Sequence, residues 1–246
     1  MRGRTWLLAL LLVAPAAGAQ APDGNAILAK VDENIGSDNK VSHARMVVEA
    51  RGATRTVESR TWVRGMTESF TEYLAPPRDR GTKMLKLGDQ LWTFFPETDR
   101  TIRIAGHMLR QSVMGSDLSY EDLMEDPRLS SMYEAKVVGE EVHRDRPCWI
   151  LELTGKAAGL AYHSRKMWVD RQRDIVLREE RYAKGGRLLK TTDVLEVSRS
   201  GSRWVAKTVV FKDALKSGQG TRFELIDLEF NATIPDHVFS KAMLRR

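Results

Sequence analysis

The chain has 246 residues, 42% hydrophobic and 29% charged, with 18 glycines and 8 prolines. This balance excludes collagen, coiled coil and wholesale disorder, and the length suffices for one domain with a substantial core. The formal net charge is +6, but basic and acidic side chains interleave, as in Arg78-Asp79-Arg80 and Arg144-Asp145-Arg146. No block of basic residues suits a phosphate-tracking nucleic-acid surface.

Residues 1–19 read as a secretory signal peptide. Arg2 and Arg4 precede the apolar run 7–13, Pro15 ends it, and Ala17-Gly18-Ala19 supplies small residues for cleavage after Ala19. The run is short for a membrane anchor, and no other stretch approaches the roughly 18 apolar residues of a spanning helix. Residues 20–246 are then expected to form a single exported domain, since no Pro/Gly/Ser-rich linker and no repeat divides them. The one cysteine, Cys148, excludes an intramolecular disulfide framework and a multi-cysteine metal site, and its apolar surroundings predict burial on a strand.

Asp23 is a good N-cap, Ile27, Leu28, Val31 and Ile35 follow at helical spacing, and Gly36 ends that helix. The period then changes to two. Alternating runs cover 44–50, 57–63, 70–74, 83–87, 91–95 and 100–104, with Ala75-Pro76-Pro77 breaking the third. Regularity lapses over 105–131, where Ser119 and Asp122 have the spacing of a capping box and Asp126-Pro127 is a stop. Strand rhythm returns at 135–142, 148–154, 166–170, 175–182, 188–197, 204–211 and 221–230, with Gly185-Gly186 as a hairpin turn. A helical turn near Pro235 closes the chain. The expectation is a mainly β, antiparallel meander of about eleven strands, whose sheet either closes into a barrel or curves and leaves an apolar concave face.

Catalytic motifs are absent: there is no nucleotide-binding loop, no G-x-S-x-G and no H-E-x-x-H. His43, His107, His143, His163 and His237 stand singly, without ligand-like spacing. The acids Asp117, Glu121, Asp122, Glu125 and Asp126 lack the alternation of a calcium loop. They read either as helix-start acids answering the dipole or as an acid/base pair. The expectation is no enzyme, no metal and no cofactor.

Trp62, Trp92, Trp149, Trp168 and Trp204 each fall on a predicted strand, alongside Phe70, Leu85 and Phe94, while Met108, Met114, Leu118 and Tyr120 lie in or near the irregular segment. A sheet this wide has more apolar face than one short helix can cover, which suits a greasy ligand. Trp62, Phe70, Leu85, Trp92, Phe94, Met108, Met114, Leu118, Tyr120, Trp149 and Trp168 are the residues expected to line an apolar cavity.

Gly81-Thr82-Lys83-Met84-Leu85, Leu91-Trp92-Thr93-Phe94-Phe95-Pro96 and Met114-Gly115-Ser116-Asp117-Leu118-Ser119-Tyr120-Glu121-Asp122-Leu123 resemble the LolA-like outer-membrane lipoprotein-sorting family, as does the ending from Phe230 to Ser240. Leu118 stands where that family's motif has phenylalanine. The lid-locking arginine of the main carriers has no motif match. The resemblance implies a half-open barrel and a periplasmic carrier of acylated lipoproteins or lipids, often linked with membrane transporters of the resistance-nodulation-division (RND) type. It also implies short helices lying over the concave face as a lid; the helix from Ile27 to Ile35 and the segment 108–123 are expected to form it, with Gly36, Gly106 and Gly115 as hinges. Gly115, Ser116, Asp117, Ser119, Glu121 and Asp122 set the geometry of that segment. The rival readings are a periplasmic transporter adaptor that carries nothing, and a lipid-acting enzyme with Asp117 or Glu121 as base.

Overall fold

The structure, a computed structural model, describes residues 22–36, 39–50 and 53–246; the expected signal peptide and cleavage site fall outside these. Helix α1 (Gly24–Ile35) begins as the sequence predicts, with the Asp23 carboxylate accepting the Asn25 N–H at 2.9 Å. The strands are β1 (Asn39–Ala50), β2 (Ala53–Arg64), β3 (Glu68–Ala75), β4 (Lys83–Leu87), β5 (Gln90–Phe95), β6 (Arg100–Ile104), β7 (Tyr133–His143), β8 (Arg146–Gly155), β9 (Ser164–Asp170), β10 (Val176–Tyr182), β11 (Leu188–Ser200), β12 (Arg203–Asp213) and β13 (Thr221–Phe230). Between β6 and β7 run short 3₁₀ turns, then α2 (Tyr120–Met124) and α3 (Leu129–Met132). Two 3₁₀ turns, Asp236–Phe239 and Lys241–Arg245, end the chain.

All thirteen strands form one antiparallel sheet in the order β6-β5-β4-β3-β2-β1-β13-β12-β11-β10-β9-β8-β7. Thirteen corrects the expected eleven. Each alternating run forms its own strand, including the short β4, β5 and β6, so the shortfall lay in the count and not in the pattern. The edges β6 and β7 do not pair, so the barrel stays open.

Strand parity sorts the side chains into two faces. On one, Met46, Val57, Tyr73, Met84, Leu91 and Ile104 of β1–β6 pack against Val113 and Tyr120 of the middle segment. The same face of β7–β9 packs Leu151, Leu153, Met167 and Val169 against Ile27, Leu28 and Val31 of α1. Tyr120 of α2 thus meets one half of the sheet, while Asp122, two residues on, bonds β10 and β11 of the other. Only a curved sheet brings both within reach of one short helix, so this face is concave. On the opposite, convex face, Phe70, Leu85, Trp92 and Phe94 are covered by Val238, Phe239 and Leu244 of the C-terminal turns.

Helix α1 is pinned in both halves. Asn25 accepts the Ala135 N–H at 2.9 Å, and the Asp32 carboxylate accepts the N–H groups of Leu129 and Ser130 at 3.0 and 2.9 Å, capping α3 from outside. Gly24 sits so close to β7 that a Cβ would stand 2.5 Å from the Ala135 carbonyl oxygen. Gly24→Ala is expected to push α1 off β7 and cost about 1–3 kcal/mol, read as a lower midpoint in urea at unchanged slope.

Candidate functional site

Two features occupy the concave face: an apolar cavity under the C-terminal half of α1, and a charged latch that holds α2 to the sheet.

The cavity, about 380 Å³, lies between α1 and the middle of the sheet. Val31 and Ile35 of α1 roof it. Its floor is Ser42 of β1, Val63 of β2, Ala206 of β12 and Phe223 and Leu225 of β13, and Trp204 stands at one end. The β1–β13 register explains the floor: Ser42 stands opposite Leu228 and Ala44 opposite Leu225, so the inward positions of both strands converge. A smaller hollow of about 260 Å³ adjoins it, sharing Val31, Ile35 and Val176 and reaching the latch residues Arg165 and Glu179.

None of the eleven residues expected to line the cavity does so. Trp62, Phe70, Leu85, Trp92 and Phe94 are corrected to the convex side, in or against the core beneath the C-terminal turns. There Lys241 lies over the Trp92 ring at 4.1 Å and Arg64 over Phe239 at 4.5 Å. Trp168 is likewise on the convex side, paired across the strands with Ile150, its indole N–H bonded to Glu141 at 3.1 Å. Trp149 faces α1's side but packs into the β7–β9 core under Arg171. Met108, Met114, Leu118 and Tyr120 do face the concave side, as packing between the middle segment and β1–β6. Cys148 is fully buried on β8, as its surroundings predict, and burial raises its thiol pKa.

The motif residues hold the middle segment in place. Gly115 adopts φ +74°, a conformation that favours glycine. Ser116 is fully buried and its hydroxyl accepts the Leu118 N–H at 3.2 Å. Both carboxylate oxygens of Asp117 are taken, Oδ1 by the Asp213 N–H and Oδ2 by the Thr221 hydroxyl, each at 2.9 Å. Ser119 and Asp122 form the expected capping box of α2. Glu121 is half-buried beside a polar groove that also contains Arg110 and Arg187.

Asp122 is also the hub of the latch. It accepts from Tyr162 at 2.5 Å and Arg181 at 3.2 Å, and pairs with Lys190. Arg181 continues to Glu179 at 2.8 Å, and Glu179 to Arg165, which also pairs with Glu125. Burial alone would raise the Asp122 pKa, but the Lys190 charge and the hydrogen bonds from Lys190, Tyr162 and the Ser119 backbone hold it at about 2. Glu179 likewise lies at about 2, burial being outweighed by Arg181 and Arg165. Both pKa values lie below the unfolded range near 4. Their stabilisation is therefore present above about pH 4 and lost as pH falls from there towards 2. The Tm is expected to drop steeply across that window, as calorimetry at stepped pH would record, and an Asp122→Asn variant should flatten the drop.

Among the described residues, no group of three His, Cys, Asp or Glu side chains is placed to hold a metal ion, and no helix is long and apolar enough to cross a membrane.

The fold recurs in solved structures. A DUF1329 family protein from Desulfovibrio piger superposes with a TM-score of 0.81 at 24% identity, over 90% of this chain and 97% of that one. A putative outer membrane lipoprotein-sorting protein domain from Vibrio parahaemolyticus gives 0.79 at 21% identity, over 91% and 98%. A LolA superfamily protein from Nitrosomonas europaea gives 0.75 at 24% identity, over 91% and 100%. At these identities the likeness establishes a shared fold. No curated protein matches the chain. A family model described as "-like: Uncharacterized protein" matches residues 65–246, from the turn after β2 through the whole remaining sheet, and the chain belongs to that family.

Proposed function

We propose that this protein is a periplasmic carrier that shields an acyl chain of a lipid or lipoprotein and delivers it towards the outer membrane. The observation that carries this reading is the apolar cavity on an open, curved sheet, roofed by Val31 and Ile35 of α1. Each buried methylene is worth about 0.8 kcal/mol, so a long chain in water faces a penalty on the order of 10 kcal/mol. Hiding it needs shaped apolar wall and no catalytic group. The signal-peptide reading of residues 1–19 supports export. The shared fold with a putative lipoprotein-sorting domain and a LolA superfamily protein agrees with carriage.

An RND-type transporter in the inner membrane is the partner we propose for loading or unloading. The adaptor reading calls for a filled core, and the hollow beneath α1 weighs against it. The enzyme reading needs a free carboxylate, which Asp117 does not offer because both its oxygens already accept hydrogen bonds; Glu121, beside the polar groove, is the base that reading would have to use. Native mass spectrometry of the mature protein from its own periplasm, followed by solvent extraction, tests the proposal. Co-purifying acylated mass that extraction removes is the expected result; a bare protein mass under gentle conditions favours the adaptor.

A further inference from the structure

The cavity has a cationic rim that its apolar walls do not require. Lys40 lines it from β1, and its ammonium donates to the Ile35 carbonyl at 3.3 Å. Arg203 opens β12 beside it, donating to the carbonyls of Glu33 and Asn34 at 3.2 and 3.5 Å, its guanidinium 5.0 Å from the centre of the cavity-lining Phe230 ring. Among the described residues, neither cation forms an ion pair with a carboxylate. The third cation nearby, Arg173, lies over Trp204 at 4.1 Å and is answered by Asp170 at 3.9 Å. Asp174, the one acid lining the cavity, pairs with none of the three.

Burial lowers the Lys40 pKa, and the Arg203 charge lowers it further, so the two cations oppose each other. Their acceptors are the last carbonyls of α1, whose partial negative charge suits cations but is weaker than a full anion. An anion between Lys40 and Arg203 would relieve the repulsion and replace neutral acceptors with a charged one. The hollow, near the lower end of the roughly 300–1,000 Å³ of ligand sites, has room for one chain rather than several.

We propose that the cavity takes a single-chain anionic amphiphile, its chain against Ile35, Val63 and Phe223 and its carboxylate or phosphate head between Lys40 and Arg203. This rests on the carrier reading and narrows it to an acidic head group. The head competes with α1's C-terminal carbonyls for the same two cations, so its arrival loosens the last turn of the helix that roofs the hollow.

The test is displacement of the neutral probe N-phenyl-1-naphthylamine from the mature chain by oleate, lysophosphatidylglycerol, lysophosphatidylcholine and monoolein, each below its micellar concentration. Either acidic competitor, or both, should displace the probe about tenfold more tightly than monoolein, the effect of one charge-assisted hydrogen bond. Oleate against lysophosphatidylglycerol separates a carboxylate head from a phosphate. In Lys40→Gln and in Arg203→Gln the ratio of acidic to neutral affinity should collapse. A ratio within one protein is insensitive to a partial loss of folded material. Equal displacement by monoolein and the acidic lipids, or an unchanged ratio in both variants, overturns the head-group assignment while leaving carriage standing. Failure of the probe and of every competitor to bind overturns carriage as well.

Discussion

Asp122→Ala is expected to lower stability by about 3–5 kcal/mol, the loss that follows when one partner of a buried ion network is removed. The carboxylate is 4% exposed, and Arg181 and Lys190, 13% exposed each, point at it. Without it the two cations are left near each other in a partly desolvated place, and α2 loses its capping box, itself worth about 1 kcal/mol. For a domain of this size the Tm should fall on the order of 10 °C. Glu121→Ala, one residue earlier and half-buried, should stay within about 0.5 kcal/mol. Paired thermal melts decide the matter. Equal effects at 121 and 122 would mean that the network does not hold the segment.

Ser42→Trp is expected to abolish acyl-chain binding without unfolding the protein. Ser42 sits on the cavity floor, between Thr61 of β2 and Leu228 of β13. An indole there takes much of the 380 Å³ hollow and buries against Ile35 and Phe223, so the Tm should hold or rise while lipid affinity drops by more than about tenfold. Titration of a fluorescent fatty acid reads the affinity directly. Full binding by the folded variant would place the chain elsewhere on the molecule.

The elements were legible in the sequence and the faces were not. Period two marks every strand, and the Asp23 cap, the Gly36 stop and the Ser119–Asp122 box all form where their spacing places them. Alternation even separates Trp62 from Val57 and Val63 within β2. It does not say which of the two sets faces inward. That depends on the curvature of the whole sheet and on which face the C-terminal turns cover, both long-range properties. Choosing cavity residues by aromatic type therefore selected Phe70, Leu85 and Trp92, which the C-terminal turns bury on the convex side. The lining of the hollow under α1, Ser42, Ala206 and Leu225 among it, is chemically plain and gains meaning only from the β1–β13 register. The latch was half-legible. The capping box was readable, but its partners Arg181 and Lys190 lie about 60–70 residues away and meet Asp122 only through sheet curvature.

The strand order has a consequence for how the chain folds. Every pairing in the sheet joins strands adjacent in sequence except β1 with β13. The sheet is thus two local meanders, β1–β6 and β7–β13, which can each zip by short loop closures, joined by one seam that must close across most of the chain. Loop-closure entropy makes that seam the costly, late contact and the natural rate-limiting step. The hollow lies across it, with Ser42 on one bank and Phe223 and Leu225 on the other. A bound chain would therefore bridge two folding units, and amide exchange along β1 and β13 would slow more on loading than exchange within either meander.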